Sequence, residues 1–316
     1  FFEGVATQSI ESHIPIDLKN KFPSIKYDFK NVMLHPITDE PIFFIAEMPH
    51  LIKKIVNALE MSSLKKSKRN MKYSGCPLNS KMIQDVWRLT RKKSKHRLTE
   101  TKLSETYFNK DAFSRMTVYL AVQLLSSSLV TMLRKATNDR SIHPDLRLKQ
   151  NQYDKIIEMA EKVDKLVDIC NGRSKEKGKY TAYFTPENGH KIQNELLDIL
   201  DWFTKWNDSV KRLGNNKDNF LPVQSWNSLQ SLILGLVGLI EVEVKRNDQT
   251  IVPKTTNTDG IEKHFSCSRQ NIGSGNAPTA QMQQTNDARA SAYIASTGPK
   301  KGNNAKAPAM FDKKKY

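Results

Sequence analysis

PIFFIAEMPHLIKKIVNALE, the stretch from residue 41 to residue 60, changes its hydrophobic pattern halfway along. Residues 41–46 form a continuous apolar run, which is typical of a buried strand. After Glu47 the apolar residues recur at helical spacing, at Leu51, Ile52, Ile55, Val56 and Leu59. The pattern predicts a strand and then a helix, with Glu47 at the strand's carboxyl end, where α/β sheets usually place their chemistry.

The residues beyond this stretch keep the helical pattern for most of the chain. Polar, lysine-rich residues 61–79 predict a linker with a turn at Gly75, Cys76 and Pro77. Apolar periodicity predicts helices over residues 112–136, 152–170, 187–213 and 223–244. Because residues 80–245 show no strand-like alternation, they predict an all-helical domain.

Charge and cysteine content narrow the class of partner. The chain has 316 residues and a formal net charge of +17, which favours a polyanion such as nucleic acid, with an anionic membrane surface as the other option. The apolar run within Leu229–Val242 is short and interrupted, so we expect no membrane span. Three isolated cysteines indicate a reducing compartment and no zinc site.

Two acidic residues are candidates for chemistry. Glu47 follows the predicted strand, and Glu262 lies in the first turn of a predicted helix, far along the chain. Carboxylates of this kind can hold the divalent metal ions used in phosphodiester chemistry. Structural roles compete with this hypothesis: Asp259 and Glu262 have capping-box spacing, and Glu47 could pair with Lys53 or Lys54.

Four motifs in one order resemble P-element-type transposases. Glu47 to Asn57 resembles the family's Asp-x-Pro-His-Leu-x-Lys-x-x-x-Asn segment, and Thr258 to Ser266 resembles its Asp-x-x-Glu-x-x-Phe-Ser segment. The other two matches are a region from Lys102 to Ser126, which includes Phe113, Met116, Val118, Ala121 and Gln123, and a later run of Arg269, Gly273, Asn276, Pro278 and Thr279.

The resemblance implies a fold and a domain order. The family has a ribonuclease-H-like α/β domain split by a large helical insertion that binds GTP. We therefore expect a mainly α chain in which residues 1–62 and 249–296 are the two parts of a partial ribonuclease-H-like domain. Residues 63–248 would be the all-helical insertion, and residues 297–316 a disordered basic tail.

The resemblance also implies roles for individual residues. Glu47 takes the place of the family's second catalytic Asp and Glu262 that of its catalytic Glu, so both would hold Mg²⁺ or Mn²⁺. Asp259 matches an Asp of the guanine-nucleotide site. Asn207 matches its Asn, whereas Thr204 stands where the family usually has an acid.

Two departures favour a chain that does not cut DNA alone. The family's first catalytic Asp would lie before residue 1, as would its zinc-coordinating DNA-binding module, which indicates N-terminal truncation. Glu in place of Asp at position 47 moves a carboxylate by about 1 Å, and misplacement on that scale can cost about a hundredfold in rate.

Three readings of function follow. The first is a fragment of a GTP-dependent cut-and-paste transposase that acts on transposon ends and target DNA, located in the nucleus and forming a homo-oligomer. The second is a domesticated or decayed DNA- and GTP-binding protein without catalysis. The third is a helical scaffold with no nucleic-acid role, which requires the motif matches to be accidental.

Other polar and aromatic residues admit two interpretations each. The basic stretches Lys65 to Lys72 and Arg91 to Arg97 would contact phosphates or form solvated surfaces. His50 and His264 would lie near the metal or make local polar contacts. Four residues are interpreted as core anchors rather than base-stacking platforms: Trp87, Trp202, Trp206 and Trp226.

Overall fold

The computed structural model describes residues 7–93, 103–108, 117–138, 150–172, 182–214 and 216–256. One compact unit spans Phe1–Lys254, and a second begins at Thr255, of which only residues 255 and 256 are described. The predictions for Asp259, Glu262, His264 and the tail therefore lie outside the described residues.

A small antiparallel sheet opens the described chain. Its strands are β1 (Gln8–Ser9), β2 (Lys30–Leu34) and β3 (Pro41–Phe43), in the order β1-β2-β3. Helix α1 (Ile16–Lys21) lies between β1 and β2. The prediction of a buried strand was wrong in part, because β3 has only three residues, is at an edge of this sheet, and leaves Ile42 37% exposed.

Helix α2 (Met48–Met61) and a short hairpin follow the sheet. The hairpin consists of β4 (Lys72–Tyr73) and β5 (Cys76–Pro77), paired antiparallel. Its two central residues have positive φ, 49° at Ser74 and 79° at Gly75. This is the backbone of a two-residue type I′ turn, which glycine accommodates without strain. The turn predicted at Gly75, Cys76 and Pro77 is confirmed at Gly75, whereas Cys76 and Pro77 form β5.

Helices form most of the remaining described chain, as the sequence predicted. They are α3 (Ser80–Lys93), α4 (Val118–Leu124), α5 (Ser127–Asn138), α6 (Gln150–Cys170), α7 (Pro186–Arg212) and α8 (Val223–Leu239). A π-helical turn, Ile240–Arg246, continues α8. Short 3₁₀ turns occupy Ile10–His13, Glu105–Tyr107, Lys217–Asn219 and Pro253–Thr256.

One predicted helix is in fact divided. The stretch predicted over residues 112–136 contains both α4 and α5, separated at Leu125 and Ser126. Leu125 leaves the helical region at φ −124° and ψ 30°. The Ser126 hydroxyl donates to the carbonyl of Gln123 at 2.9 Å, and serine favours such local bonds over helix continuation.

Helix α8 joins the sheet to the helical part. It contacts α7, α2, β2 and β3. A Cβ atom on Gly238 would lie 2.6 Å from Cε1 of Phe43, and one on Gly235 would lie 2.8 Å from Cγ1 of Ile45. The two glycines thus allow the sheet to approach the helix backbone directly.

Asn31 fixes the same junction by hydrogen bonds. Its fully buried Nδ2 donates to the carbonyls of Phe44 at 3.3 Å and Ser231 at 3.4 Å, and the Ser231 hydroxyl donates to Phe44 at 2.7 Å. The mainly helical part of the predicted fold is confirmed. Its ribonuclease-H-like part and the boundaries at residues 62, 248 and 296 stay predictions.

The continuous helix Val223–Arg246 is long and apolar enough to cross a membrane by length and composition, being longer than the apolar run predicted from sequence. In the fold, 67% of its most apolar window is buried. Core helices share these properties, so this helix is only weak evidence for a membrane span.

Candidate functional site

Glu47 is the N-cap residue of α2, with φ −73° and ψ 122°. Its backbone carbonyl accepts the amide of Leu51 at 3.1 Å, which closes the first turn of the helix. Its side chain makes no capping bond and instead places Oε2 3.0 Å from Nε2 of His50. The local polar contact predicted for His50 is confirmed, and His50 rather than Lys53 or Lys54 is the partner of Glu47.

The sheet and α8 together hold Glu47 in position. The segment before it is bound on both sides, since the Phe44 amide donates to Asn31 at 2.8 Å and its carbonyl accepts Ser231. Glu47 therefore starts a helix four residues beyond the end of an antiparallel edge strand. The sequence had placed it directly at a strand end, because the short β3 and the extended residues after it share one apolar pattern.

The Glu47 carboxylate can offer an oxygen to a ligand but is not a metal site by itself. Its side chain is 16% exposed, against 50% for His50. Among the described residues no group of three or more His, Cys, Asp or Glu side chains could hold a metal ion. A divalent ion at Glu47 would need further oxygen ligands. Glu262, the predicted second ligand, lies outside the described residues.

Asn207 and Thr204 lie on successive turns of α7 and differ in availability. Asn207 is half-buried, and no side-chain hydrogen bond of Asn207 occurs within the described part of the chain. Thr204 is buried, and its hydroxyl donates to the carbonyl of Leu200 at 2.8 Å. Thr204 is thus occupied within its own helix, whereas Asn207 retains an amide that could bind a ligand. Asp259, the third predicted nucleotide residue, lies outside the described residues.

An aromatic cluster packs beside these α7 positions. Trp206 is fully buried and donates its indole N–H to the carbonyl of Lys72 at 2.7 Å. Trp202 and Trp226 pack against the core, and Trp87 is buried, so the prediction of core anchors is confirmed. Burial raises the pKa of Tyr73, whose ring meets Trp202 edge to face at 5.2 Å.

Sequence reasoning missed two polar partners of this cluster. The Lys155 ammonium lies 5.0 Å from the Tyr73 ring centroid and donates to both carboxylate oxygens of Glu158. Glu158 also accepts the indole N–H of Trp202 at 2.8 Å. Lys155 and Glu158 have ion-pair spacing on α6. No spacing signals their contacts with Tyr73 and Trp202, because these residues come from β4 and α7.

The basic linker after α2 divides into a structural and an exposed part. Arg69 is a structural residue: its Nη1 donates to the carbonyl of Phe220 at 2.5 Å, and its Nη2 lies 3.7 Å from Asp218. Lys65, Lys66 and Lys68 are exposed. The side chains of the second basic stretch, Arg91 to Arg97, lie outside the described residues.

Two carboxyl groups on α6 are held away from water. Burial, with a smaller contribution from the nearby Asp168, raises the pKa of Asp164 to about 6. A hydrogen bond from the backbone of Ser127 has the opposite effect on that pKa. Burial also raises the pKa of Asp168. The bond to Ser127 places Asp164 against the start of α5.

Comparison with known proteins defines the class. Residues 49–183 match the family model of the TNP-like, GTP-binding insertion domain, so the helical part of the chain is similar to a transposase insertion domain. A solved structure, the Drosophila P element transposase strand transfer complex, superposes with a TM-score of 0.61 at 20% sequence identity. The chain is therefore similar to P-element-type transposases, as its motifs predicted.

The superposition covers the two chains unequally. The superposition covers 82% of this chain and 53% of the solved chain, so the chain spans about half the length of the transposase that it matches. No curated protein matches the chain. At this identity the superposition supports the fold.

Proposed function

We propose that this chain is part of a GTP-dependent DNA transposase that cleaves DNA and transfers strands with the help of a divalent metal ion. The observation that carries the proposal is the insertion-domain match over residues 49–183, which lies directly after Glu47. The P-element-like fold around that match supports the same activity. DNA transposon ends and target DNA would be the substrates, in a homo-oligomer located in the nucleus.

The proposal assigns roles to four residues. Glu47 and Glu262 would hold Mg²⁺ or Mn²⁺, which when bound polarises a phosphate oxygen and lowers the pKa of a water nucleophile. Asn207 and Asp259 would bind the guanine base of GTP. The half-buried amide of Asn207, which makes no side-chain hydrogen bond to any described residue, supports its part. His50 would orient the Glu47 carboxylate through their 3.0 Å contact.

A second candidate is a domesticated or decayed protein that binds DNA and GTP without cleaving DNA. Two observations favour it for this chain. Glu47 carries one methylene more than the Asp of the family motif and already pairs with His50. Thr204 has no carboxylate, and its hydroxyl donates to the Leu200 carbonyl. The contact that an acid at this position would make to a guanine base is therefore missing.

Nucleotide binding tests what both candidates share. The full chain is titrated with GTP and ATP by calorimetry, beside Asn207→Ala and the matched control Asn227→Ala on the exposed side of α8. We expect GTP to bind more tightly than ATP, and Asn207→Ala to weaken GTP binding about tenfold, equivalent to about 1.4 kcal/mol. Equal affinity of the wild type for GTP and ATP would contradict both candidates.

Metal-dependent cleavage separates the two candidates. A supercoiled plasmid bearing the element's own ends is incubated with Mg²⁺ or Mn²⁺, GTP and a protein that joins this chain to the strand bearing the family's first catalytic Asp. Nicking that is lost in both Glu47→Gln and Glu262→Gln supports the transposase. GTP and DNA binding without any metal-dependent product supports the non-catalytic protein.

A further inference from the structure

One face of α2 is exposed from its first turn to its last, and three of its four residues are polar. His50, Lys54, Asn57 and Met61 are all exposed, and their spacing of four, three and four residues places them in one row. The opposite face is buried, with Leu51, Ile52, Ile55, Val56 and Leu59 at 0–1% exposure. The row starts one turn from Glu47 and leads to the linker that follows α2.

Positive charge is concentrated along this row and the linker. Residues 48–84 contain eight Lys or Arg side chains and one acid, Glu60. Lys54, Lys65, Lys66 and Lys68 are exposed, and within the described ranges none of them forms an ion pair. On α6 and α7, by contrast, Lys155, Lys162, Lys165, Lys205 and Lys211 each pair with a carboxylate.

Fixed backbone contacts hold the linker that presents these lysines. Arg69 binds the carbonyl of Phe220, and the amide of Asn70 donates to Asp218 at 3.0 Å. The Met71 amide donates to the Ser62 hydroxyl at 2.9 Å. Lys65, Lys66 and Lys68 therefore extend from an anchored loop rather than from a free linker, and less conformational freedom is lost when they bind a ligand.

We infer that the exposed face of α2 and residues 64–70 form one basic track for the phosphate backbone of a nucleic acid, starting beside Glu47. The inference rests on the proposed function and adds the surface and direction of the substrate. Fourteen residues of helix span about 21 Å, which corresponds to the rise of about six base pairs of duplex DNA. Lysines act as point charges here and read no bases.

A membrane surface is the competing anionic partner, and the packing of α2 argues against it. Membrane-surface helices insert an apolar face among the lipids. The apolar face of α2 is already buried in the protein core, which leaves Met61 and Leu64 as the exposed apolar side chains beside the lysines. Two such side chains offer little area for insertion.

Salt-dependent binding tests the track. Three proteins are titrated onto a labelled 20-base-pair duplex at several salt concentrations. They are the full chain, a track variant with Lys65→Ala, Lys66→Ala and Lys68→Ala, and a control variant with Lys26→Ala, Lys30→Ala and Lys211→Ala. Both variants lose the same charge at exposed positions. Each lost phosphate contact lowers the slope of log K against log salt by about 0.9. We expect the magnitude of this slope to fall by about two to three in the track variant and by less than one in the control.

The outcomes separate the track from the function on which it rests. Wild-type binding with equal slopes for both variants would overturn the track and leave the proposed function standing. Absence of wild-type DNA binding at low salt would overturn both. Binding to phosphatidylserine vesicles is measured for the same three proteins. If the track variant loses vesicle binding as steeply as DNA binding, the surface is assigned to a membrane instead.

Discussion

Trp202 on α7 donates its indole N–H to Oε2 of Glu158 on α6 at 2.8 Å. The same two helices pair Lys162 with Asp198 and Lys165 with Glu195, so contacts repeat at each turn as the antiparallel helices pass each other. The bonded pair of Trp202 and Glu158 lies at the end of this series nearest Tyr73. The series fixes the register of α7, the helix that presents Asn207.

Removal of the indole hydrogen bond is expected to destabilise the protein. Trp202→Phe keeps an aromatic ring but leaves a Glu158 oxygen with one donor fewer. Hydrogen bonds to charged groups contribute about 1.5–3 kcal/mol, and Trp202 is partly exposed, so we expect a loss of about 1.5 kcal/mol in urea unfolding. Trp226→Phe, where the structure describes no indole hydrogen bond, is the control. Additive effects of Trp202→Phe and Glu158→Gln would contradict a direct interaction.

The glycines of α8 provide a second test. Alanine in a helix interior is intrinsically about 1 kcal/mol more favourable than glycine. In Gly238→Ala the new Cβ would lie 2.6 Å from Phe43 and 2.8 Å from Ile10, and overpacking of this kind costs typically about 1–3 kcal/mol. We expect net destabilisation of about 1 kcal/mol, measured by urea unfolding.

The matched control for that substitution is Asn227→Ala, at an exposed position of the same helix. It should stabilise the protein slightly, since alanine has the higher helix propensity. A stabilising effect of Gly238→Ala comparable with that of Asn227→Ala would show that the sheet does not press on α8.

Burial of Asp164 predicts a pH-dependent stability. The pKa of Asp164 is raised in the folded state to about 6. The folded state therefore binds the proton more tightly than the unfolded state, and stability falls as pH rises from about 4 to about 6. Asp164→Asn removes this dependence, so its melting temperature should exceed that of the wild type above pH 6 and converge with it near pH 4.

Asp28→Asn is the control for the pH series, because Asp28 is exposed. Its melting temperature should follow that of the wild type across the range. A constant offset between Asp164→Asn and the wild type from pH 4 to pH 8 would show that Asp164 ionises equally in both states.

The hydrophobic pattern predicted the helices whose position depends on residues close together in the sequence. Leu196, Leu200 and Phe203 recur at helical spacing, which predicted α7, and all three are buried in the structure. The helix starts at Pro186, as a proline in the first turn and a capping box at Thr185 favour. The break at Ser126 was missed, because a serine bonding to the preceding turn changes no hydrophobic period.

The candidate site depended on contacts that the sequence pattern does not encode. The pairing of Glu47 with His50 has helical spacing, yet the sequence analysis proposed Lys53 or Lys54 as the partner of this carboxylate. The link from Arg69 to Phe220 and Asp218 joins residues about 150 positions apart, and only the folded chain brings them together. These contacts of Arg69 hold residues 64–70 in place.

That link gives the last prediction. Arg69→Ala removes the donor to the Phe220 carbonyl and the partner of Asp218, which weakens the attachment of residues 64–70 to the loop at Lys217. Loss of a charged hydrogen bond of this kind costs about 1.5–3 kcal/mol at a buried site, and less here because Asp218 is partly exposed. Cleavage by thermolysin before Leu64 should become faster, while Lys68→Ala, which removes an exposed lysine of the same loop, should leave the rate unchanged. Equal cleavage rates in Arg69→Ala and the wild type would mean that the loop is held by other contacts, and the basic track would then lose the anchoring that we ascribe to Arg69.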